Sequence, residues 1–284
     1  MNKEYQKLLF PYAYNILGSA DEALDAVQDV LLKFLTFSKK EGISDEWNYL
    51  IRSVINRAIN IRNRKKELRQ DDVWLPEPIA TERADSDVYL KDILSYSLLV
   101  LLERLTAQER AVFILRESFD YSHQDIAETL NISEDNSRKL LSRAKRKLKV
   151  NTSEVCEPNS KKATAAELLE KYIGAIRSKE IANVEELLAE DILFYADGGT
   201  KLNVVKKMCV GARDVAELLV FVYNNYQVSY RISVGEVNHQ PAMFYYDGSQ
   251  LKACQIFETS SNGKRITQIN SVVDPDKIKH LHLQ

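Results

Sequence analysis

From Met1 to about Val150 the apolar residues recur every three or four positions, the spacing that gives a helix one buried face. From about Ile192 onward they alternate with polar residues or run in short β-branched and aromatic stretches. Two Ser/Thr-x-x-Glu signatures, Ser19 to Glu22 and Thr106 to Glu109, predict helices over about 20–37 and 107–117, and a long amphipathic basic helix is expected from about Asp45 to Arg69. Asp71–Asp85 breaks the pattern, because Pro76 and Pro78 remove backbone donors and hold the residues before them extended. The helical part therefore divides into a domain over 1–70, a linker over 71–86 and a second domain over 87–150. The Ser, Asn and Pro content of NTSEVCEPNSKKAT marks another linker, over 151–163.

Thr164 to Leu188 is predicted helical, with Thr164-x-x-Glu167 as its capping box. Then the period changes. ILFYAD, QVSYRISVGEV, AMFYYDG, LKACQIFET and RITQINSVV read as strands, separated by Asp-Gly and Asn-Gly turns, with one more helix near Ala212–Asn225. The expected fold is two all-α domains followed by an α+β domain over 164–273 built on a curved antiparallel sheet, with a tail over 274–284.

At 284 residues the chain can bury two or three cores, and 45% hydrophobic with 28% charged residues is ordinary for a soluble globular protein. No apolar run approaches the roughly 18 residues that span a membrane, and no leader pattern opens the chain, so a cytoplasmic location without membrane partners is expected. Cys156, Cys209 and Cys254 fit neither a disulfide framework nor a zinc site, and no metal or cofactor is expected. The net charge of −2 conceals segregation. Arg52–Arg69 holds seven basic residues and one acid, Arg138–Lys149 seven and none, and Asp21–Asp29 is acidic.

The second basic run sits in YSHQDIAETLNISEDNSRKLLSRAKRKLK. Ile126, Ala127, Leu130 and Ile132 give a short helix and its turn an apolar face, and Leu141, Ala144 and Leu148 give the next helix a stripe. Ser133 is placed to cap that second helix, whose outer face carries Asn136, Arg138, Lys139, Ser142, Arg143 and Arg146. This is helix-turn-helix geometry, in which cations neutralise phosphates while Asn136 or Arg138 reaches base edges. In WNYLIRSVINRAINIRNRKK, arginines alternate with Trp47, Tyr49, Asn56, Asn60 and Asn63, a mixture suited to stacking on and hydrogen bonding to melted strands.

Together these residues resemble the extracytoplasmic-function (ECF) sigma factors of RNA polymerase, over Met1 to about Lys149. ADEALDAVQDVLLKFL is similar to the family's helix that docks on core polymerase, which implies that Asp25, Gln28 and Asp29 face the enzyme. The following basic helix resembles the promoter-melting helix, with Trp47, Asn56, Arg57, Asn60 and Arg64 toward DNA and Thr36–Glu46 as the loop that takes up a flipped base of the minus-ten element. The helix-turn-helix, with Ser133 among its contacts, implies binding of the minus-thirty-five element. Asn60 stands where many relatives have Asp, and Ser137 and Leu140 replace Val and Arg of the recognition helix, so the promoter sequence is not carried over.

The last third resembles the SnoaL-like, NTF2-like domain fused to one sigma subgroup. That subgroup has a WLPEP linker, matched by Trp74, Leu75 and Pro76 to Pro78; a DGGGK-like loop, matched by Asp197, Gly198, Gly199 and Lys201 with Thr200 for one glycine; and a tail motif matched by Asp274, Pro275, Asp276 and Lys277. The resemblance implies regulation of the sigma domains by this extension and leaves room for a small-molecule ligand in its pocket. The residues alone leave a second reading open, a SnoaL-type enzyme recruited to DNA, with Asp197, His239 or Asp247 as general base. Asp197 and Asp247, each before Gly, also suit turns. Trp74 and Leu75 have two open placements, on the first helical core or on the C-terminal domain near Asp197–Lys201 or Asp274–Lys277.

Overall fold

The computed structural model describes residues 2–36, 45–66, 74–81, 88–148, 162–200, 202, 204 and 208–281. The chain divides into two compact units. Met1–Gln70, Arg83–Leu94 and Leu98–Val155 form the first; Asp71–Glu82, Ser95–Ser97 and Cys156–Gln284 form the second. The proline-rich linker thus belongs with the C-terminal domain, and the two helical segments share one unit.

In the first unit α1 (Asn2–Leu17), α2 (Ala20–Thr36) and α3 (Glu46–Lys66) pack together through Leu9, Ala13, Tyr14, Ala23, Val27, Leu50, Val54 and Ala58, all with no solvent exposure. Gly18, at φ 71°, turns the corner between α1 and α2, and the Glu22 amide donates to Ser19 Oγ at 3.4 Å. After a 3-10 turn at Val88–Asp92 come α4 (Tyr96–Leu102), α5 (Ala107–Glu117), α6 (His123–Leu130) and α7 (Glu134–Leu148). The Thr106–Glu109 capping box is complete, and a second one, Ser122 with Asp125, opens α6. Helix α5 is the centre of this part, with Ala107 and Ala111 to Leu115 all buried.

Polar groups are also buried here. Asn15 of α1 donates to the Asp92 carbonyl at 2.8 Å and accepts from the Leu94 amide at 3.1 Å. Glu103 lies between Arg62 of α3 and Arg110 of α5.

The second unit runs α8 (Lys162–Ser178), α9 (Ile181–Glu185), β1 (Leu188–Asp197), β2 (Cys209–Val210), α10 (Ala212–Val222) with a π turn at Tyr223–Gln227, β3 (Arg231–Val237), β4 (Gln240–Asp247), β5 (Gln250–Thr259), β6 (Ile266–Val272) and α11 (Pro275–Ile278). Its six-stranded sheet has the order β2-β1-β6-β5-β4-β3, and Leu169, Tyr172, Phe194, Leu219, Tyr245 and Phe257 pack its helix-facing side. This is the α+β form expected.

Three local expectations are corrected. The sheet is mixed, because β6 returns beside β1 in the same direction after the α10 and β3–β5 excursion. Helix α8 already includes Lys162 and Ala163, so Thr164 lies inside it and cannot cap it, and the helical stretch is cut at Lys179, whose φ of 64° no helix continues through. In α7 the buried stripe is Ser137, Leu140, Ala144 and Leu148, with Leu141 only half-buried. Ser137 and Leu140 are therefore packing residues, and their departure from the family pattern does not alter the exposed face.

Candidate functional site

On α2, Asp25, Gln28 and Leu32 are exposed and Asp29 is half-buried, at the spacing that makes one stripe. With Glu22, and Arg57 and Ile61 of α3, they line a groove of about 320 Å³. Arg57 Nη2 meets Asp29 Oδ2 at 2.6 Å, and Lys65 pairs with Glu22. The groove thus combines carboxylates with an apolar leucine that is 60% exposed, a surface suited to a protein partner.

Helix α3 buries Leu50, Ile51, Val54, Ile55, Ala58 and Ile59, so its polar residues divide between two jobs. Asn60 and Arg64 are exposed, while Trp47 stacks on Tyr5 with ring centroids 6.0 Å apart. Asn56 Nδ2 donates to the Thr129 carbonyl at 3.1 Å, and Arg52 donates to the Glu128 carbonyl. Both carbonyls lie in the last turn of α6, where a cation and an amide satisfy acceptors without intrahelical partners. The base-capture loop expected at Thr36–Glu46 falls mostly on 37–44, outside the described residues.

Helix α6 ends at Asn131 in the left-handed conformation, and Ser133 Oγ accepts the Asn136 amide at 3.2 Å. Ser133 therefore caps α7. Asn136, Arg138, Lys139, Ser142, Arg143 and Arg146 are all exposed on α7, and Arg138 pairs within the helix with Glu134 and Asp135. Lys147 and Lys145 reach back to Glu109 and Glu117 of α5, which leaves the outward charge to the residues read from the sequence. Ser137 and His123 Nδ1 share a hydrogen bond at 2.9 Å, tying the two helices inside the motif.

The second unit brings three separate sequence motifs to one point. Lys277 Nζ donates to Asp197 Oδ2 and to the Leu75 carbonyl, both at 2.6 Å, and stands 4.2 Å from the centroid of the Trp74 ring. Asp197 Oδ2 also accepts the Leu75 amide at 2.7 Å, and its Oδ1 accepts the Gly199 amide at 2.8 Å. Leu75, Pro76 and Asp197 are buried, so the ion pair is shielded from solvent. Asp274 caps α11 through the Asp276 amide, at 3.0 Å, with Pro275 in the first turn. Gly198 and Gly199 let the chain pass close by: a Cβ on Gly198 would fall 2.5 Å from the Leu202 carbonyl oxygen, and one on Gly199 2.6 Å from the Asp274 carboxylate carbon. Lys201 lies outside the described residues. Gly199, at φ 60°, also excludes side chains on backbone grounds, so Gly199→Ala should destabilise the second unit by about 1–3 kcal/mol, measured by chemical unfolding.

The same contacts bear on the three candidate bases. Asp197 is committed to Lys277 and two amides, Asp247 is exposed at the β4–β5 turn, and His239 occupies the β3–β4 turn at φ 60°. They do not converge on one pocket. Cys254 is buried and half-buried Cys209 lies at β2; burial pushes both thiols up, so neither is poised as a thiolate.

Sequence reasoning missed Glu103, Arg62, Arg110 and Asn15, and in the second unit Thr81, Ser97, Asn238 and Gln240. Arg110 had a signal, because it stands on the apolar side of α5 between Ala107, Ala111 and Ile114. Glu103 has Arg110 seven residues on but no local mark of it, and the others had no signal, since their partners lie far along the chain.

Comparison with known proteins places these elements. Residues 1–67 match the family model "Sigma-70 region 2" and residues 95–148 match "Sigma-70, region 4". The ECF RNA polymerase sigma factor SigJ of Mycobacterium tuberculosis is 25% identical over 226 residues, 77% of this chain and 70% of that protein. The probable ECF RNA polymerase sigma factor SigI of the same organism is 28% identical over 152 residues, 51% of this chain and 52% of that protein. The crystal structure of SigJ superposes with a TM-score of 0.75 at 21% identity, covering 98% of this chain and 96% of that one. With a match to sigma-70 region 2, a capped helix-turn-helix within the match to region 4 and an α+β domain after them, the chain carries both sigma-70 regions and is similar to the extracytoplasmic-function sigma factors of RNA polymerase.

Proposed function

We propose that the α2 stripe of Asp25, Gln28, Asp29 and Leu32 docks on core RNA polymerase, that α3 and α7 engage the two promoter elements, and that the C-terminal unit regulates initiation through the strap Trp74–Thr81. The carrying observation is the buried node at Lys277, which holds the strap by side-chain and main-chain contacts at once. A passive tether has no use for such a contact. An extended segment stiffened by two prolines loses little entropy on docking, so it can be held or released as a unit. A small molecule bound within the C-terminal unit would act by biasing that docking. The engagement of Asp197 by Lys277 favours this regulatory reading over an enzymatic one.

The docking surface is tested with the triple variant Asp25→Ala, Gln28→Ala, Asp29→Ala. Core polymerase affinity should fall by about tenfold or more at unchanged thermal stability, since these side chains lie outside the core. Equal affinity in a binding titration would refute the docking role. Replacing Arg143 and Arg146 by alanine should weaken binding to all promoter sequences alike and reduce the salt dependence of log K by about two.

A further inference from the structure

The β3–β4 turn holds more than the end of a hairpin. Asn238 and His239 both adopt left-handed backbone, at φ 49° and 60°, which aims successive groups at two other segments. The strap comes first. Ala80 bridges Val237, the Asn238 amide donates to the Ile79 carbonyl at 2.9 Å, and Asn238 Oδ1 accepts the Ile79 amide at 2.9 Å. Thr81 donates its amide to the Glu236 carbonyl at 3.2 Å and its hydroxyl to Glu236 Oε1 at 3.1 Å, and accepts the His239 amide at 2.9 Å. Thr81 and Asn238 are essentially without exposure.

The next residue of the turn addresses the start of α4. Gln240 Oε1 accepts the Ser97 amide at 2.7 Å and Gln240 Nε2 donates to Ser97 Oγ at 3.0 Å. Ser97 is the second residue of α4, where a helix amide has no intrahelical acceptor, so Gln240 takes the place that a local capping side chain would fill. Beside it, fully buried Tyr96 donates its hydroxyl to the Pro76 carbonyl of the strap at 2.6 Å. Ser95–Ser97 belong to the second unit although α4 continues into the first. One turn therefore holds both Thr81 and Ser97.

We propose that Gln240 is a positioning residue for promoter reading: by capping α4 from the β3–β4 turn it makes the C-terminal unit set the point at which region 4 begins, and so the promoter-element spacing that the protein accepts. This rests on the regulatory reading above and names its route. Loss of the cap loosens the first turn of α4 without touching any residue placed on polymerase or DNA.

The test uses the full chain with Gln240→Ala and Gln240→Glu, the latter keeping an acceptor for the Ser97 amide. Hydrogen exchange at Ser97 should quicken about tenfold in the alanine variant, the loss of one hydrogen bond, and stay near the parent rate in the glutamate variant. In vitro transcription with core polymerase is then run on templates whose two elements are moved apart or together in single base-pair steps. The parent and Gln240→Glu should share one narrow optimum, and Gln240→Ala should give a broader one. Faster exchange at Ser97 with an unchanged spacing profile would overturn the proposal. If Gln240→Ala does not fold, Gln240→Met, which keeps the side-chain length and removes the acceptor for the Ser97 amide, is put to the same templates, and an unaltered profile there overturns it equally. A separate Lys277→Ala arm tells the two readings apart: altered output there with no effect at Gln240 leaves the regulatory function standing and removes only this route.

Discussion

Glu103→Ala is expected to destabilise the first unit by about 3–5 kcal/mol and to lower its melting temperature by on the order of 10 °C, read from the helical signal of the intact chain on heating. Arg62 Nη2 meets Glu103 Oε2 at 3.1 Å, and Arg110 Nη1 meets the other oxygen. Arg110 Nε also donates to the Asn15 carbonyl at 2.8 Å. The Arg110 side chain has no exposure and that of Arg62 is 8% exposed, so removing the carboxylate leaves two guanidiniums facing each other out of water. Burial and the Arg62 charge lower the Arg110 pKa, yet a guanidinium stays protonated at neutral pH, so the repulsion is not relieved by titration. These residues join α1 and α3 to α5 and the turn that precedes it, and the loss should therefore loosen the packing of the two helical segments as well as lower the melting point.

The same cluster gives a pH signature. Burial by itself pushes the Glu103 carboxyl up, but the Arg110 and Arg62 charges and the hydrogen bonds both guanidiniums donate together outweigh it and hold the group below its usual value. A carboxyl whose folded pKa is depressed contributes stability above its unfolded pKa of about 4.3 and loses it as pH falls through the folded value. The parent should accordingly lose stability below about pH 4 more steeply than Glu103→Gln, which has nothing to protonate. Parallel acid limbs in urea midpoints would contradict the role given to this carboxylate.

Lys277→Ala should release the strap. The change strands the Asp197 carboxylate, 4% exposed, and the Leu75 carbonyl, at a cost of about 3 kcal/mol, the low end for a broken buried pair because two amides still donate to Asp197. That cost corresponds to faster exchange at Leu75 by roughly two orders of magnitude. Trp47 and Trp74 are the two tryptophans of the chain, so in a Trp47→Phe background the emission of Trp74 reports its environment and should shift to the red. Promoter-directed transcription should change level in the same variant. Unmoved Trp74 emission and unmoved output together would show that the node does not control the sigma domains.

Helix placement was legible because it depends on local signals. Thr106 with Glu109, Ser133 before α7, and the basic face of α7 all act within a few residues, and each is found where spacing put it. Errors arose where a local rule met a longer one. Thr164 has a capping pattern but sits inside a helix that starts earlier, and Leu141 yields its buried place to Leu140, which shares the face of Ser137, Ala144 and Leu148 that packs inward. The parallel pairing of β1 with β6 has no sequence mark, since each strand reads the same beside a neighbour of either direction.

By itself the sequence determined the helical and β segments and the helix-turn-helix with its exposed cations, because period, capping and turn chemistry operate over a few residues, while the three motifs that meet at Lys277 stood out only through the family resemblance. Only tertiary structure decided that Trp74 faces Lys277 in the C-terminal unit and that Glu103 is shared by two arginines. It also decided that Gln240 caps a helix 143 residues away in sequence. Those outcomes depend on which buried polar group lies nearest once the chain has packed, and a charge or an amide carries no record of its distant partner in its own neighbourhood of the sequence.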